Sequence, residues 1–432
     1  MTTKYFSFLL VALSTLNLHS QVTPRNTGYP KSNLSKHHRE IPYPKSDLID
    51  SFQWSSDAYK YPGTGSDMHW WTWGIDDAIY VLEDDGKNFG GPINYAHVLK
   101  VTGTPPNHKV ATVTDFMEIP FRKMMPKDKM LNRYVDGIIA VDSLLYVSIY
   151  DYDWNLQRNI PFFDSIRPRL ELYDCFAGVK DSTMLSNMHF SSTYSKNYGI
   201  AGIIKSTDFG KTWTNVPDAT TARFLGPKFA GLTFLNFGPG YSDVPNGFSP
   251  YVYALSNDGS WETGDHVFMA RVHKDSIINR QAWQFLSAIK NNTPEWSKDE
   301  EESYPVFKDP GHVGHPTISY NKVLKRYILG IYSDVVPHNE YASVKEWRTW
   351  DKASELQLYE SEYPWGPWKI FYNEKPWGGA KHSCYLPQIP NKWWGKDGLS
   401  GTIMFAGDYT GNNYEYYAFM TQSFTIKLKT KK

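Results

Sequence analysis

Two acidic stretches near the start of the chain carry the residue types that hydrolyse or rearrange polar bonds. Ser66-Asp-Met-His-Trp-Trp-Thr-Trp73 places Asp67 and His69 two residues apart, and Glu83-Asp-Asp-Gly86 follows. Side chains two apart in an extended segment share a face, so Asp67 and His69 are expected side by side, with Asp85 brought back toward them by a hairpin. A pair such as Asp67 and Asp85 could serve as general acid and as nucleophile or base toward a glycosidic bond, which needs two carboxyls roughly 5 to 9.5 Å apart. Equally, Asp84-Asp85-Gly86 reads as a plain turn. Trp71 in the first stretch offers an aromatic face on which an apolar ring surface can stack.

Further candidates recur along the chain. His189, His315 and His382 each precede or begin an expected strand, as His69 does. Imidazoles from several such places could hold a divalent ion. No His-x-x-x-His or paired-cysteine spacing supports one, so no metal is assigned and no cofactor is required. Arg133 and Arg223 also stand just before strands, and arginine grips carboxylate or sulfate through two parallel hydrogen bonds. Tyr194, Tyr241 and Tyr320 are candidate proton-transfer or binding groups among thirty tyrosines. Nucleotide-binding glycine loops and the Gly-x-Ser-x-Gly elbow of esterases are absent.

The elements that must position these groups are strands. Helical periodicity is nearly absent, and short alternating runs separated by Gly, Asp and Asn turns recur, as in Ala78-Ile-Tyr-Val-Leu82 and Tyr251-Val-Tyr-Ala-Leu255. Lys205-Ser-Thr-Asp-Phe-Gly-Lys-Thr-Trp213 fits Ser-x-Asp-x-Gly-x-Thr-Trp, with Asp208 expected to close a turn on its own backbone. Ser256-Asn-Asp-Gly-Ser-Trp261 reads as a degraded second copy. Inner strands near His69, Gly137, Phe229, His315 and Tyr385 recur at roughly 70 to 90 residues. This predicts an all-β fold, a single β-propeller of five blades, with six or seven open if the region of His189 forms its own blade. The final strands are expected to close the ring against an N-terminal strand.

Composition bounds the rest. The 45 basic residues balance the 45 acidic ones, which leaves no electrostatic footprint for nucleic acid. Sixteen Trp, thirty Tyr and 23 Phe suit both strands and a glycan-stacking surface. Lys4 followed by the apolar run Phe6 to Leu13 and the polar stretch Ser14 to Ser20 reads as a secretory signal. Residues 1–21 are therefore expected to be a signal peptide, 22–50 an irregular segment and 51–432 the propeller. Export to the periplasm or beyond follows, with no membrane insertion. There Cys175 and Cys384 could pair.

Several stretches together resemble secreted bacterial five-bladed propellers that act on polysaccharides. They are Trp70-Trp-Thr-Trp-Gly-Ile-Asp-Asp77 with Tyr80 and Asp84-Asp-Gly86, Asp265-His-Val-Phe-Met-Ala-Arg-Val272, Trp283-Gln-Phe285, Pro294-Glu-Trp-Ser297 and Pro364-Trp-Gly-Pro-Trp368. One branch resembled is the endo-arabinanase type, in which paired carboxylates would fall on Asp67 and Asp85. Another is the exported marine flavobacterial enzymes that degrade ulvan, a sulfated, uronate-containing polysaccharide, by lyase or oligosaccharide-dehydratase chemistry. That second resemblance implies a carbon–oxygen lyase working by β-elimination, for which Arg223 would neutralise the carboxylate and His189 or His69 would move the proton. The readings left open are a glycoside hydrolase built on Asp67 and Asp85, and a non-catalytic glycan-binding propeller.

Overall fold

The computed structural model describes residues 21–22, 40–61, 64–88, 95–115, 131–153, 196–217, 223–226, 228–229, 231–258, 264–335, 354–379, 384–407 and 418–430. Three N-terminal strands come first: β1 (Gln21–Val22), β2 (Ile49–Trp54) and β3 (Ala58–Lys60). Blade one is β4 (Thr64–Trp73), β5 (Ile79–Asn88), β6 (Tyr95–Thr102) and β7 (Lys109–Asp115). Blade two is β8 (Leu131–Val141), β9 (Leu144–Asp153) and β10 (Lys196–Ser206). Blade three runs β11 (Thr233–Phe234), β12 (Tyr251–Asn257), β13 (Gly264–His273), β14 (Gln284–Lys290) and β15 (Thr293–Ser297), with β16 (Phe307–Val313) also on β13. Blade four is β17 (Thr317–Asn321), β18 (Arg326–Asp334), β19 (Ser354–Ser361) and β20 (Lys369–Glu374). Blade five is β21 (Tyr385–Gln388), β22 (Ser400–Ala406) and β23 (Met420–Leu428).

Among the described residues these five sheets form a closed ring, a five-bladed β-propeller as expected. The inner strands pack in sequence: β4 against β8, β8 against β11, β11 against β17, β17 against β21, and β21 back against β4. Closure uses both chain ends. Strands β2 and β3 pair with β23, and β1 pairs with β3, so the N-terminal segment supplies the outer edge of blade five. Radial repetition leaves each blade only a short inner edge, covered by the neighbouring blades around the axis.

The strand sequences follow from this packing. A blade is covered on both faces by its neighbours, so its strands are apolar on both faces rather than on alternate residues. In blade two Ile138, Ala140, Val147 and Ile149 join one core cluster, while Ile139, Val141, Tyr146 and Tyr150 join the other. Burying each such Val or Ile side chain contributes about 1.5 to 3 kcal/mol against chain entropy.

The Ser-x-Asp-x-Gly-x-Thr-Trp turn leaves blade two as expected. The Asp208 carboxylate accepts from the backbone N–H of Thr212 at 2.9 Å and from its hydroxyl at 2.6 Å, while Trp213 Nε1 donates to Gly210 O at 3.1 Å. The Thr212 bonds hold the Asp208 pKa down to about 2. Its degraded copy behaves alike, since Asp258 Oδ1 accepts from the N–H groups of Asp265 and His266. Cys384 is buried with its N–H donating to Ser354 Oγ at 3.0 Å. Cys175, the expected signal segment, His189, Tyr194 and His382 lie outside the described residues. No helix among the described residues is long and apolar enough to cross a membrane.

Candidate active site on the propeller axis

Asp67 enters the axis through a bulge. On the β4–β5 hairpin Asp67 faces Asp84 and Trp70 faces Leu82, so β4 carries one extra residue, and Met68 absorbs it at φ 67°. Such a bulge breaks strict alternation and re-aims the side chains beside it. Asp67 is nearly buried, 8% exposed, and its Oδ2 accepts the Tyr385 hydroxyl at 2.9 Å. Tyr385 opens β21, so this bond joins the inner strands of blades one and five. Asp84 is buried opposite Asp67. Asp85 follows on β5, where the pairing with β6 slips between Glu83 and Gly86.

Beyond the bulge the strand plugs the channel. The fully buried Trp70 indole meets the His315 ring edge-on, with centroids 6.0 Å apart. These residues belong to blades one and four, which are not neighbours, so the contact crosses the axis. The His315 ring reaches blade three as well, because a Cβ on Gly231 would lie 2.2 Å from His315 Cε1 and 2.9 Å from Asp136 Oδ2. Burial lowers the His315 pKa to about 4, and Nδ1 is buried without a partner. Asp136 on β8 is fully buried, bonded by the Ser148 hydroxyl and by the Leu232 N–H at 2.9 Å. Burial pushes its pKa up to about 8 despite those two bonds, so it keeps its proton at neutral pH.

A polar girdle seals the channel below. Asn236 Oδ1 accepts from Thr72 Oγ1 at 2.7 Å, and Thr72 Oγ1 accepts from Ala140 N–H at 2.7 Å. Asn236 Nδ2 donates to Trp71 O, and Asn236 O accepts from Asn391 Nδ2 at 2.8 Å. Asn391 Oδ1 in turn accepts from Ser319 Oγ at 2.9 Å. All five blades or their connecting segments are tied together at this level, and Asp67 stands toward the other end of β4.

Several expected site residues are placed elsewhere. His69 is sealed between blades one and five, with Nε2 3.2 Å from Glu83 Oε1 and its ring against Phe419. The bulge at Met68 is the reason it does not stand beside Asp67, and the proton-transfer role expected for it is corrected. Trp71 packs with Ile79, Val81 and Met404 between the same blades, so it is core rather than a stacking face. Tyr241 is core too: its hydroxyl donates to Tyr251 O at 3.0 Å, and burial holds its pKa well above the usual phenol range. Arg223 is exposed. Arg133 is placed by its backbone on β8, opposite Asp151. Among the described residues no group of three or more His, Cys, Asp or Glu is arranged to hold a metal.

Asp136, Tyr385, Gly231 and Asn236 were not anticipated. Val135-Asp-Gly137 has the look of a turn, yet it lies within a strand, and Gly137 at φ 40° lets that strand pass Leu232 O closely. The readable signal is a glycine inside a largely apolar strand run, Val135-Asp-Gly-Ile-Ile139, which marks a bulge or a close backbone approach.

A family described as a domain of unknown function, DUF4185, matches residues 180–366. No curated protein matches the chain. Solved structures of similar fold include a Bacteroides ovatus protein with 12% identity and TM-score 0.47, covering 89% of this chain and 97% of its own. A GH43_1 enzyme from Xanthomonas citri has 9% identity and TM-score 0.41, covering 84% and 90%. The α-L-arabinofuranosidase of Podospora anserina has 10% identity and TM-score 0.41, covering 88% and 99%. At such identities the likeness concerns the fold. The expected carbon–oxygen lyase is corrected nonetheless. Of the groups assigned to elimination, Arg223 is exposed and His69 is sealed on Glu83, while His189 lies outside the described residues.

Proposed function

We propose that the protein is a glycoside hydrolase acting on oligosaccharides or polysaccharides outside the cytoplasm. The observation that carries this reading is the hydrogen bond from Tyr385 to Asp67. It holds a carboxylate near the start of the first inner strand, three residues before Trp70, whose ring meets His315 across the axis.

Asp67 is the carboxylate that faces the substrate, as nucleophile or as base toward water. The second carboxyl comes from the facing strand, where Asp84 stands opposite and Asp85 follows. A second carboxyl that keeps its proton would serve as general acid toward the leaving oxygen. Asp136 is sealed and acts through position, holding the inner strands of blades two and three together. The excess of aromatic residues suits a glycan substrate, and the apolar run from Phe6 to Leu13 supports export.

The test is a panel of soluble glycans, uronate-bearing ulvan included, with new reducing ends measured beside absorbance near 235 nm. Hydrolysis gives reducing ends without that absorbance. Cleavage accompanied by it, or no cleavage of any glycan, would sink the reading. Asp67→Asn should lower kcat by about 100- to 10,000-fold.

A further inference from the structure

A groove of about 370 Å³ lies away from the axis, where β18 begins and β19 ends, at the end of blade four remote from His315. Its size suits a sugar unit or two. Segments far apart in sequence build it: the N-terminal arm at Asp47, the β14–β15 turn at Asn292, and blade four from Arg326 to Lys369.

The frame of the groove is locked. Glu360 is buried, with Oε1 accepting from Ser46 Oγ at 2.8 Å and Oε2 from Arg326 Nε at 3.0 Å. Arg326 Nη2 then donates to Glu362 Oε1 at 2.9 Å, which fixes the plane of the guanidinium at the groove edge. The aromatic side is equally fixed. The Tyr363 ring stacks on Trp365 at 5.7 Å and 14°, and Trp365 stacks on Phe248 at 5.6 Å and 24°. Trp365 Nε1 donates to Asn292 O at 3.0 Å, tying the turn to this stack.

An anchored aromatic ring beside planar amide, carboxylate and guanidinium groups is the chemistry that binds sugars. The ring covers apolar C–H faces, and the planar groups reach vicinal hydroxyls. The charges are two positive, Arg326 and Lys369, against three negative, Asp47, Glu360 and Glu362. They pair with one another, Lys369 with Asp47 and Arg326 with the two glutamates. No surplus of positive charge is present to attract a polyanion.

We infer that this groove is a second carbohydrate site, which holds a neutral stretch of glycan while the axial site acts on the chain. The inference rests on the glycan-degrading reading only for the source of its ligand. Native gels cast with arabinan, arabinoxylan, galactan or mixed-linkage glucan, and separately with polygalacturonate, test it. Asn292→Gly suits the turn, because Asn292 already sits at φ 61°. Glu362→Ala removes a side chain that is 64% exposed. Neither should disturb folding, which a thermal melt checks.

The expected result is that at least one neutral glycan retards the wild type and each variant binds it about 10-fold more weakly. Cleavage of small oligosaccharides should be unchanged. Retardation equal in wild type and variants, retardation by polygalacturonate alone, or none by any neutral glycan overturns the inference. Retardation lost in the variants, in a wild type that cleaves no glycan, supports the groove and removes the hydrolase reading instead.

Discussion

Tyr385 donates its hydroxyl to Asp67 Oδ2 at 2.9 Å, linking the first residue of the last inner strand to the entry of the first. The bond joins blades that are adjacent only because the ring closes, so the carboxylate is aimed by closure as well as by its own strand. Tyr385→Phe removes the donor and keeps the ring. The expected outcome is a fall in kcat of about 10- to 100-fold with KM within about 2-fold, the mark of a group that positions another. An unchanged kcat would show that Asp67 is held by its strand alone.

Substitution separates Asp84 from Asp85 as the second carboxyl of the proposed site. Asp84 is buried opposite Asp67, whereas Asp85 lies where the β5–β6 register slips. Asp85→Asn should cost about 100-fold or more in kcat, and Asp84→Asn should act mainly on stability. If Asp84→Asn alone abolishes turnover at unchanged thermal stability, the roles are reversed.

The proton on Asp136 makes stability depend on pH in a defined direction. Folded, the carboxyl holds its proton up to about pH 8, because burial disfavours the charge. Unfolded, it loses that proton near pH 4. Between those values the native state binds the extra proton, so this group's contribution is full below about pH 4 and is lost as pH rises toward about 8. Asp136→Asn has no proton to lose, and its amide can donate to Ser148 while its oxygen accepts from Leu232. Melting temperatures from pH 5 to 8.5 should therefore fall with pH more steeply in the wild type than in the variant. Parallel curves would mean that Asp136 is ionised in the fold.

Gly231 is required by space. Its backbone passes so close to His315 that a Cβ would lie 2.2 Å from Cε1. Gly231→Ala should destabilise by about 1 to 3 kcal/mol through overpacking. Adding His315→Ala should return part of that loss, because it empties the colliding volume. Strictly additive losses in urea unfolding would show that the clash is relieved by another route.

Much of this architecture was legible beforehand, and the gaps have physical causes. The expected inner strands near Gly137, His315 and Tyr385 correspond to β8, β17 and β21, because turn residues and β-branched runs mark them clearly. Asp208 was read as a turn closer, since an Asx turn depends on local chain only, and its bonds to Thr212 have that form. His69 was misplaced because nothing in Asp67-Met-His69 announces a bulge: Met68 takes φ 67° without glycine or asparagine. Asp136 is not legible because the strand is read from Gly137 onward, and its burial is set by contacts with Leu232, 96 residues away. Tyr385 could not be singled out among thirty tyrosines, since its role is set by a partner 318 residues away.

The girdle under Trp70 gives the last prediction. Asn236 uses both ends of its amide at once, accepting from Thr72 and donating to the carbonyls of Trp71 at 3.2 Å and Phe234 at 3.3 Å. Asn236 is 2% exposed, so water cannot readily replace it. Asn236→Ala takes from the Thr72 hydroxyl proton its acceptor and from the Trp71 carbonyl its side-chain donor, at a cost of about 2 to 4 kcal/mol. The urea midpoint should drop while the slope of the transition stays the same, since the ring remains whole until it unfolds. Asn236→Asp keeps the acceptor for Thr72 but loses the donor to Trp71 and Phe234, and it should be at least as unstable at neutral pH. A loss below about 0.5 kcal/mol for both variants would show that the blades hold one another by apolar packing alone.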